Sequence, residues 1–326
     1  MALVNIGFIG AGGIAGDHLE QLRQIPEVRV VAICDKEINR AKMVAIKYNA
    51  RAYSAHEEML GKEKLDAVYI CIPPFAHTDQ EILAAKKGVH VFIEKPLATT
   101  WQKAREISGA IKEAGIITSV GYNWRYLNNV EQAREFLKGK KIAMVLGYWL
   151  GGLPGVPWWR VKAQSGGQMV EQTTHIVDLA RYFAGEVEKI FTTYSLCCLK
   201  EVEHLDIEDV GTVILNFKSG AIGTISNTCI LSQRHTVGIN LFSQDLVLEC
   251  SFNSLKIIRP GINEEICASG NSYLLEDQIF IEAVRTGNAS RIRSPYPDAL
   301  KTHAITMASN LSAQEGRPVY IKEIAV

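Results

Sequence analysis

The sequence carries no charge excess, no apolar run of membrane-spanning length and no C-x-x-C pair. Lysine and arginine total 35, aspartate and glutamate also total 35, and the 326-residue chain is formally neutral at pH 7. A neutral chain exerts no general pull on nucleic acid or on an anionic bilayer, and neither is expected as a partner. Without a bilayer-length stretch, and with Met1-Ala2-Leu3-Val4 leading straight into a strand pattern instead of a basic signal start, a cytoplasmic location is expected. Seven cysteines (34, 71, 197, 198, 229, 250, 267) are scattered, two of them, Cys34 and Cys71, inside apolar runs. They read as reduced core residues, which excludes a disulfide framework and a zinc site, so no metal is expected. Internal repeats and low-complexity segments are also missing.

What is present is a length suited to two domains and, through residue 121, short apolar runs alternating with amphipathic stretches. That alternation predicts a parallel α/β sheet with helices on both faces. Strands are expected near 3–9, 28–34, 51–53, 67–72, 89–93 and 116–120, with helices near 13–24, 37–48, 75–87 and 100–114. After Gly121 the pattern changes. Helices near 128–138 and 168–184 flank a strand near 142–150, and consecutive strand-like runs follow at 186–199, 207–217, 220–231, 234–242 and 245–250. Consecutive strands with short turns imply an antiparallel sheet, so residues 122–326 read as an α+β domain closed by helices near 273–286 and 296–314. Residues 151–159 form the one long irregular loop.

Directly after the first strand, Gly10-Ala11-Gly12-Gly13-Ile14-Ala15 matches G-x-G-x-x-G/A and opens a helix. Glycines there permit a tight turn and close approach of a pyrophosphate, which the free N–H groups and dipole of the helix attract. The second strand ends on Asp35, at the spacing of the carboxylate that accepts the adenosine ribose hydroxyls and repels a 2′-phosphate. NAD is therefore favoured, while Lys36 and Arg40 lie near enough to leave NADP open. The run into Pro73-Pro74-Phe75-Ala76-His77 puts Pro73 and His77 on the cofactor side, with His77 either touching the cofactor or capping the next helix.

A further apolar run, Val89-His90-Val91-Phe92-Ile93, stops on Glu94-Lys95-Pro96. Ligands of open parallel sheets bind outside the carboxyl ends of the strands, so Lys95 points at a ligand, although a snorkelling surface lysine would look the same. On the helix expected at 168–184, Gln168, Glu171, Thr174, His175, Asp178 and Tyr182 share one stripe, opposite Met169, Ile176, Leu179, Ala180 and Phe183. The polar stripe has no lysine or arginine but has two carboxylates and a histidine, groups suited to proton transfer. Tyr122, Asn123 and Arg125 follow the strand at 116–120 and are substrate candidates, Arg125 either binding a polar substrate group or pinning the interface; Trp158 and Trp159 read as stacking on a sugar face, filling a subunit contact or packing, and Arg160 and Lys162 as further candidates.

The fingerprint, Asp35, the Pro73-Pro74 turn with His77, and Glu94-Lys95-Pro96 together resemble the glucose-fructose oxidoreductase / inositol dehydrogenase / MocA family of nicotinamide-dependent oxidoreductases. The likeness extends through Gly166-Gly167, Glu171 to Asp178, and Asp298-Ala299-Leu300 to Gly316-Arg317-Pro318-Val319, so it spans nearly the whole chain. It implies a Rossmann domain followed by an α+β domain with a large open sheet. It also implies that Glu94 and Lys95 bind the cofactor, with Lys95 beside nicotinamide and substrate, and that Glu171 and His175 are the acidic residue and histidine of the site, with Glu in place of the more usual Asp. The reaction implied is hydride transfer between NAD(P) and a secondary alcohol or ketone on a sugar, polyol or derivative. In it His175 is expected to take the hydroxyl proton, Lys95 to stabilise the alkoxide, Glu171 to orient His175 or bind a neighbouring hydroxyl, and Asp178 to bind another. Two other readings stay open: a redox-neutral enzyme with tightly held NAD, and a dinucleotide-sensing regulator. Alternating Val213-Leu215-Phe217 and Val237-Ile239-Leu241 predict an exposed apolar sheet face, hence a homodimer or homotetramer.

Overall fold

The computed structural model describes residues 3–324. The chain divides into two compact units: residues through Ala98, Gln102–Asn123 and Asn271–Leu300 form one, while Thr99–Trp101, Trp124–Gly270 and the chain from Lys301 form the other. A single cut between 121 and 122 therefore misses the return of 271–300 to the first unit. Periodicity identifies an amphipathic helix but not the surface its apolar face covers, and the helix Ser272–Thr286 covers helix Gly13–Leu22 of the first unit.

The first unit is a six-stranded parallel sheet with β1 Val4–Ile9, β2 Val28–Cys34, β3 Arg51–Tyr53, β4 Ala67–Ile70, β5 His90–Ile93 and β6 Thr118–Val120. Its order is β3-β2-β1-β4-β5-β6, so the direction of winding reverses between β1 and β4. Helices on both faces leave β4 no solvent side, which is why Ala67-Val68-Tyr69-Ile70 is an unbroken apolar run, wholly buried. The helix expected at 75–87 starts only at Gln80. Pro73 and Pro74 instead set a 3₁₀ turn over Pro74–Ala76, since proline supplies no N–H to a strand and fixes φ for a turn. A helix at His56–Lys62 was not expected.

In the second unit, β7 Ile142–Leu150, β8 Val187–Ser195, β9 Val210–Phe217, β10 Ile222–Thr228, β11 Thr236–Ser243, β12 Leu246–Ser251, β13 Ser254–Arg259, β14 Ile262–Cys267 and β15 Val319–Tyr320 form one sheet. It is mainly antiparallel, with β7 and β10 paired parallel. The β13–β14 hairpin escaped the sequence reading because β14 is largely exposed and carries Glu264 and Glu265 within it. The helix expected at 168–184 is two pieces, Gln168–Glu171 and Thr174–Ala184, interrupted at Gln172-Thr173.

Val213, Leu215, Phe217, Val237, Ile239 and Leu241 are not an exposed face: all are buried, in one core with Ile176, Val177 and Leu179 of helix Thr174–Ala184. The helix packs against β7 and β11 on that face. Gly147 of β7 permits the approach, because a Cβ there would lie 2.6 Å from the Ile176 side chain. Burying a side chain such as Ile176 contributes about 1.5–3 kcal/mol, so this contact decides which sheet face turns inward. The cysteines also need correction: Cys34, Cys71, Cys229 and Cys250 are buried, but Cys197, Cys198 and Cys267 are exposed, and all seven are free. Among the described residues no helix is long and apolar enough to cross a membrane.

Candidate active site

The turn after β1 is built on Gly10, with φ of +94° and its amide bonded to the Cys34 carbonyl at 2.8 Å. A Cβ at Gly10 would lie 2.2 Å from the Cys71 carbonyl oxygen, so only glycine fits. Gly12 and Gly13 differ in kind: both are exposed, and a Cβ on either would meet nothing within 4 Å. They leave open backbone where helix Gly13–Leu22 presents its first N–H groups, a cradle that fits a pyrophosphate. Ile14 is partly buried on the same turn.

Asp35, at the end of β2, is buried and braces this turn: Oδ2 accepts from the Ala11 amide at 3.0 Å, and Oδ1 accepts from the Glu37 amide at 2.9 Å. Arg40 reaches the same carboxylate at 3.2 Å from an exposed position, and Lys36 is exposed. An ionised carboxylate has about four acceptor sites, so two backbone donors and the exposed Arg40 leave capacity for a ribose hydroxyl.

His77 turns inward. It is buried, with Nδ1 against Glu81 Oε1 one helical turn on, and Asp79, not His77, occupies the N-cap of the following helix. Pro73 stands partly buried at the start of the 3₁₀ turn.

Glu94 is the first residue past β5 and is buried. Its Oε2 accepts from the Lys95 amide at 3.1 Å, and its Oε1 meets His18 Nε2 at 3.0 Å. The other ring nitrogen of His18 meets Asp277 Oδ1 at 2.9 Å, and the Tyr69 hydroxyl donates to that same oxygen at 3.1 Å. Neutral imidazole has one N–H, so an imidazolium is what satisfies two carboxylates at once. Burial alone would lower the His18 pKa, but Asp277 and Glu94 raise it well above its ordinary value. Lys95 is partly buried, and the Lys95–Pro96 peptide is cis. Gly121 sits against the Glu94 carboxylate, where a Cβ would lie 2.3 Å from Oε1. Tyr122 is buried beside it in sequence.

In the second unit, the polar stripe of helix Thr174–Ala184 is buried, which rules out the solvent-exposed amphipathic helix that the spacing also allowed. His175 is flanked by two indoles, Trp149 at 6.0 Å with an interplanar angle of 17° and Trp124 at 6.1 Å and 28°. Glu171 lies on the preceding helical piece, so the two residues are not successive turns of one helix. Its Oε2 accepts from Trp159 Nε1 at 2.6 Å. Trp159 is itself buried with Ile207 and Cys229, and Trp158 packs partly buried against that cluster. Lys162 is engaged by Glu208 at 2.6 Å.

Asp178 and Arg125 are brought together in a fully buried pair. Arg125 Nε donates to Oδ2 at 2.7 Å, Nη2 donates to Oδ1 at 2.6 Å, and the Thr302 hydroxyl donates to Oδ1 at 2.8 Å. The guanidinium also lies over the Tyr182 ring at 4.7 Å. Asp178 was expected to bind a substrate hydroxyl and Arg125 either to bind substrate or to act as a pin; the geometry is a bidentate pair within the second unit with a third donor on the acid.

Residues 4–122 match the family model described as an oxidoreductase family with an NAD-binding Rossmann fold, and residues 132–248 match the GFO/IDH/MocA C-terminal domain. The chain belongs to the Gfo/Idh/MocA oxidoreductases. Myo-inositol 2-dehydrogenase of Thermotoga maritima is 27% identical to it, covering 98% of this chain and 99% of the relative. The NAD⁺-dependent scyllo-inositol 2-dehydrogenase of Bacillus subtilis is 25% identical over 98% and 96% of the two chains. The WlbA dehydrogenase of Bordetella pertussis, solved with NADH and UDP-GlcNAcA, shares the fold at a TM-score of 0.86, with 22% identity and 98% of each chain covered. As a Gfo/Idh/MocA oxidoreductase this protein is an NAD-binding enzyme.

Sequence reasoning missed His18, Tyr69 and Asp277, and also Trp124 and Trp149. A signal existed for two of them. His18 shares a buried stripe with Ala15, Leu19 and Leu22, and Asp277 shares one with Phe280 and Ile281; an ionisable residue on an apolar stripe needs a buried partner.

Proposed function

We propose that this Gfo/Idh/MocA enzyme moves a hydride between NAD and a secondary alcohol or ketone of a sugar or polyol. The observation that carries the reading is the buried polar stripe: a histidine held between two indoles on a helix whose other face is core. Bound NAD supplies the hydride acceptor. In the oxidative direction the C–H bond gives up its electron pair as hydride and the hydroxyl proton passes to His175, leaving the carbonyl. Lys95 stabilises the oxygen as its charge develops. Glu171, oriented by Trp159, binds a neighbouring hydroxyl, and Tyr122 and Trp158 complete the substrate contacts. Arg125 and Asp178 are left out of substrate binding. The inositol dehydrogenases among its relatives support hydroxyl-rich substrates.

Asp35 is proposed to receive the adenosine ribose, where its charge disfavours a 2′-phosphate. Initial rates with NAD and NADP separately, over inositols, aldoses and keto-sugars, test both parts. We expect turnover with a polyol or sugar and a preference for NAD. No turnover across the panel removes the substrate class, and a preference for NADP removes the role of Asp35.

We also propose self-association through the sheet face opposite the core. Across five strands Ile222, Met144, Phe242, Val247 and Ile258 pair in one row, with Ile214 and Ile222 45% and 54% exposed. A second copy is the simplest cover for such a row. Sedimentation at micromolar concentration should give a dimer or tetramer; a monomer would remove this proposal.

A further inference from the structure

We propose that His18 and Asp277 are positioning residues for the nicotinamide half of NAD, acting through Glu94. The inference rests on the family's NAD binding and not on the substrate reading above. The pyrophosphate cradle follows β1 and the ribose carboxylate Asp35 follows β2, so the adenosine half lies on the β2–β3 side of the reversal. A dinucleotide crosses that point, which leaves the nicotinamide half to the carboxyl ends of β4, β5 and β6. Glu94 is the first residue beyond β5.

Glu94 is firmly held. One oxygen meets His18, the other takes the Lys95 amide, and Gly121 leaves room for nothing larger than hydrogen beside the carboxylate. His18 is fixed in turn by Asp277, by the Phe92 ring at 4.8 Å and by the Tyr273 ring at 5.8 Å. Asp277 takes the Tyr69 hydroxyl. Tyr69 stacks between Phe8 and Phe92, with ring centroids 4.9 and 4.7 Å away. The chain Tyr69–Asp277–His18–Glu94 thus ties helix Ser272–Thr286 and the fingerprint helix to the end of β5.

Burying two carboxylates and an imidazolium is expensive, and apolar residues of similar volume could join the two helices as well or better. The charges do supply a rigid acceptor at the strand end. Two of the sites on Glu94 are used, which leaves capacity for an amide N–H donor, and the nicotinamide carboxamide is such a donor. ADP-ribose has the same adenosine and pyrophosphate but no carboxamide.

The two ligands separate positioning from general structure. Dissociation constants for NAD⁺ and ADP-ribose should be measured by calorimetry on the full chain and on Asp277→Asn and His18→Gln. We expect each variant to weaken NAD⁺ about tenfold while ADP-ribose stays within about twofold, the size of one lost charge-assisted hydrogen bond. Glu94→Gln, which keeps the shape of the acceptor, reads the same effect directly if Asp277→Asn fails to fold. Equal weakening of both ligands, or no change in either, overturns the proposal. Wild-type protein that bound neither would instead overturn the NAD assignment of this fold.

Discussion

Replacing Lys95 by methionine should cut kcat by about a hundredfold to a thousandfold, the usual loss when one charge-stabilising donor is removed from a reacting oxygen. NAD should still bind. Methionine keeps the length and most of the apolar stem of lysine, so the change deletes a charge without opening a large cavity. The Lys95 amide, which donates to Glu94, is untouched by the substitution. The expected signature is therefore a loss of kcat with an NAD⁺ dissociation constant close to wild type. A Lys95→Met enzyme that kept near-normal turnover on its best substrate would remove Lys95 from the chemistry, however well NAD bound.

Asp178→Ala should cost about 3–5 kcal/mol of stability, because it takes a bidentate acceptor from the buried Arg125 guanidinium. The size follows from the geometry. Arg125 and Asp178 are both almost wholly buried, and the guanidinium gives two of its donors to this one acid. Thr302 loses its acceptor as well. The double change Arg125→Met with Asp178→Leu removes both charges and should recover much of the loss, since apolar pairs of similar volume commonly replace buried ion pairs at little cost. Thermal unfolding of the two variants beside wild type reads the difference. If Asp178→Ala instead kept its melting temperature and lost affinity for substrate, the first expectation for Asp178, a hydroxyl-binding acid, would be reinstated.

The parallel sheet, the fingerprint turn and the acid after β2 were legible because each is local. A glycine-rich turn between a strand and a helix is written within six residues, and the structure gives a steric reason for Gly10 that the pattern only implies. Long-range facts were not legible. Alternation in Val237-Ile239-Leu241 shows that the three share a sheet face; it does not say whether a helix lies on that face. The structure puts Ile176 there, and the exposed row is the other one, through Ile222 and Met144. The break at Gln172-Thr173 was hidden because the residues on either side keep helical spacing, so Glu171 and His175 looked like one stripe. Asp277 is 259 residues from the histidine it bonds, and no local rule joins them.

The return of 271–300 to the first unit bears on how the chain is made. Domains tend to form as units during synthesis from the N-terminus. The dinucleotide-binding sheet is written almost entirely in the first 123 residues, yet its helix Ser272–Thr286 is made only after nearly all of the large antiparallel sheet. Until that helix arrives, His18 lacks Asp277 and the aromatic surface of Tyr69 and Phe92 lacks Phe280. A nascent chain of this protein therefore carries an unfinished cofactor domain through most of its translation, exposed to chaperones and proteases alike. Neither unit is complete until late in the chain: the first waits for residues 271–300, and the second for β15 at Val319–Tyr320.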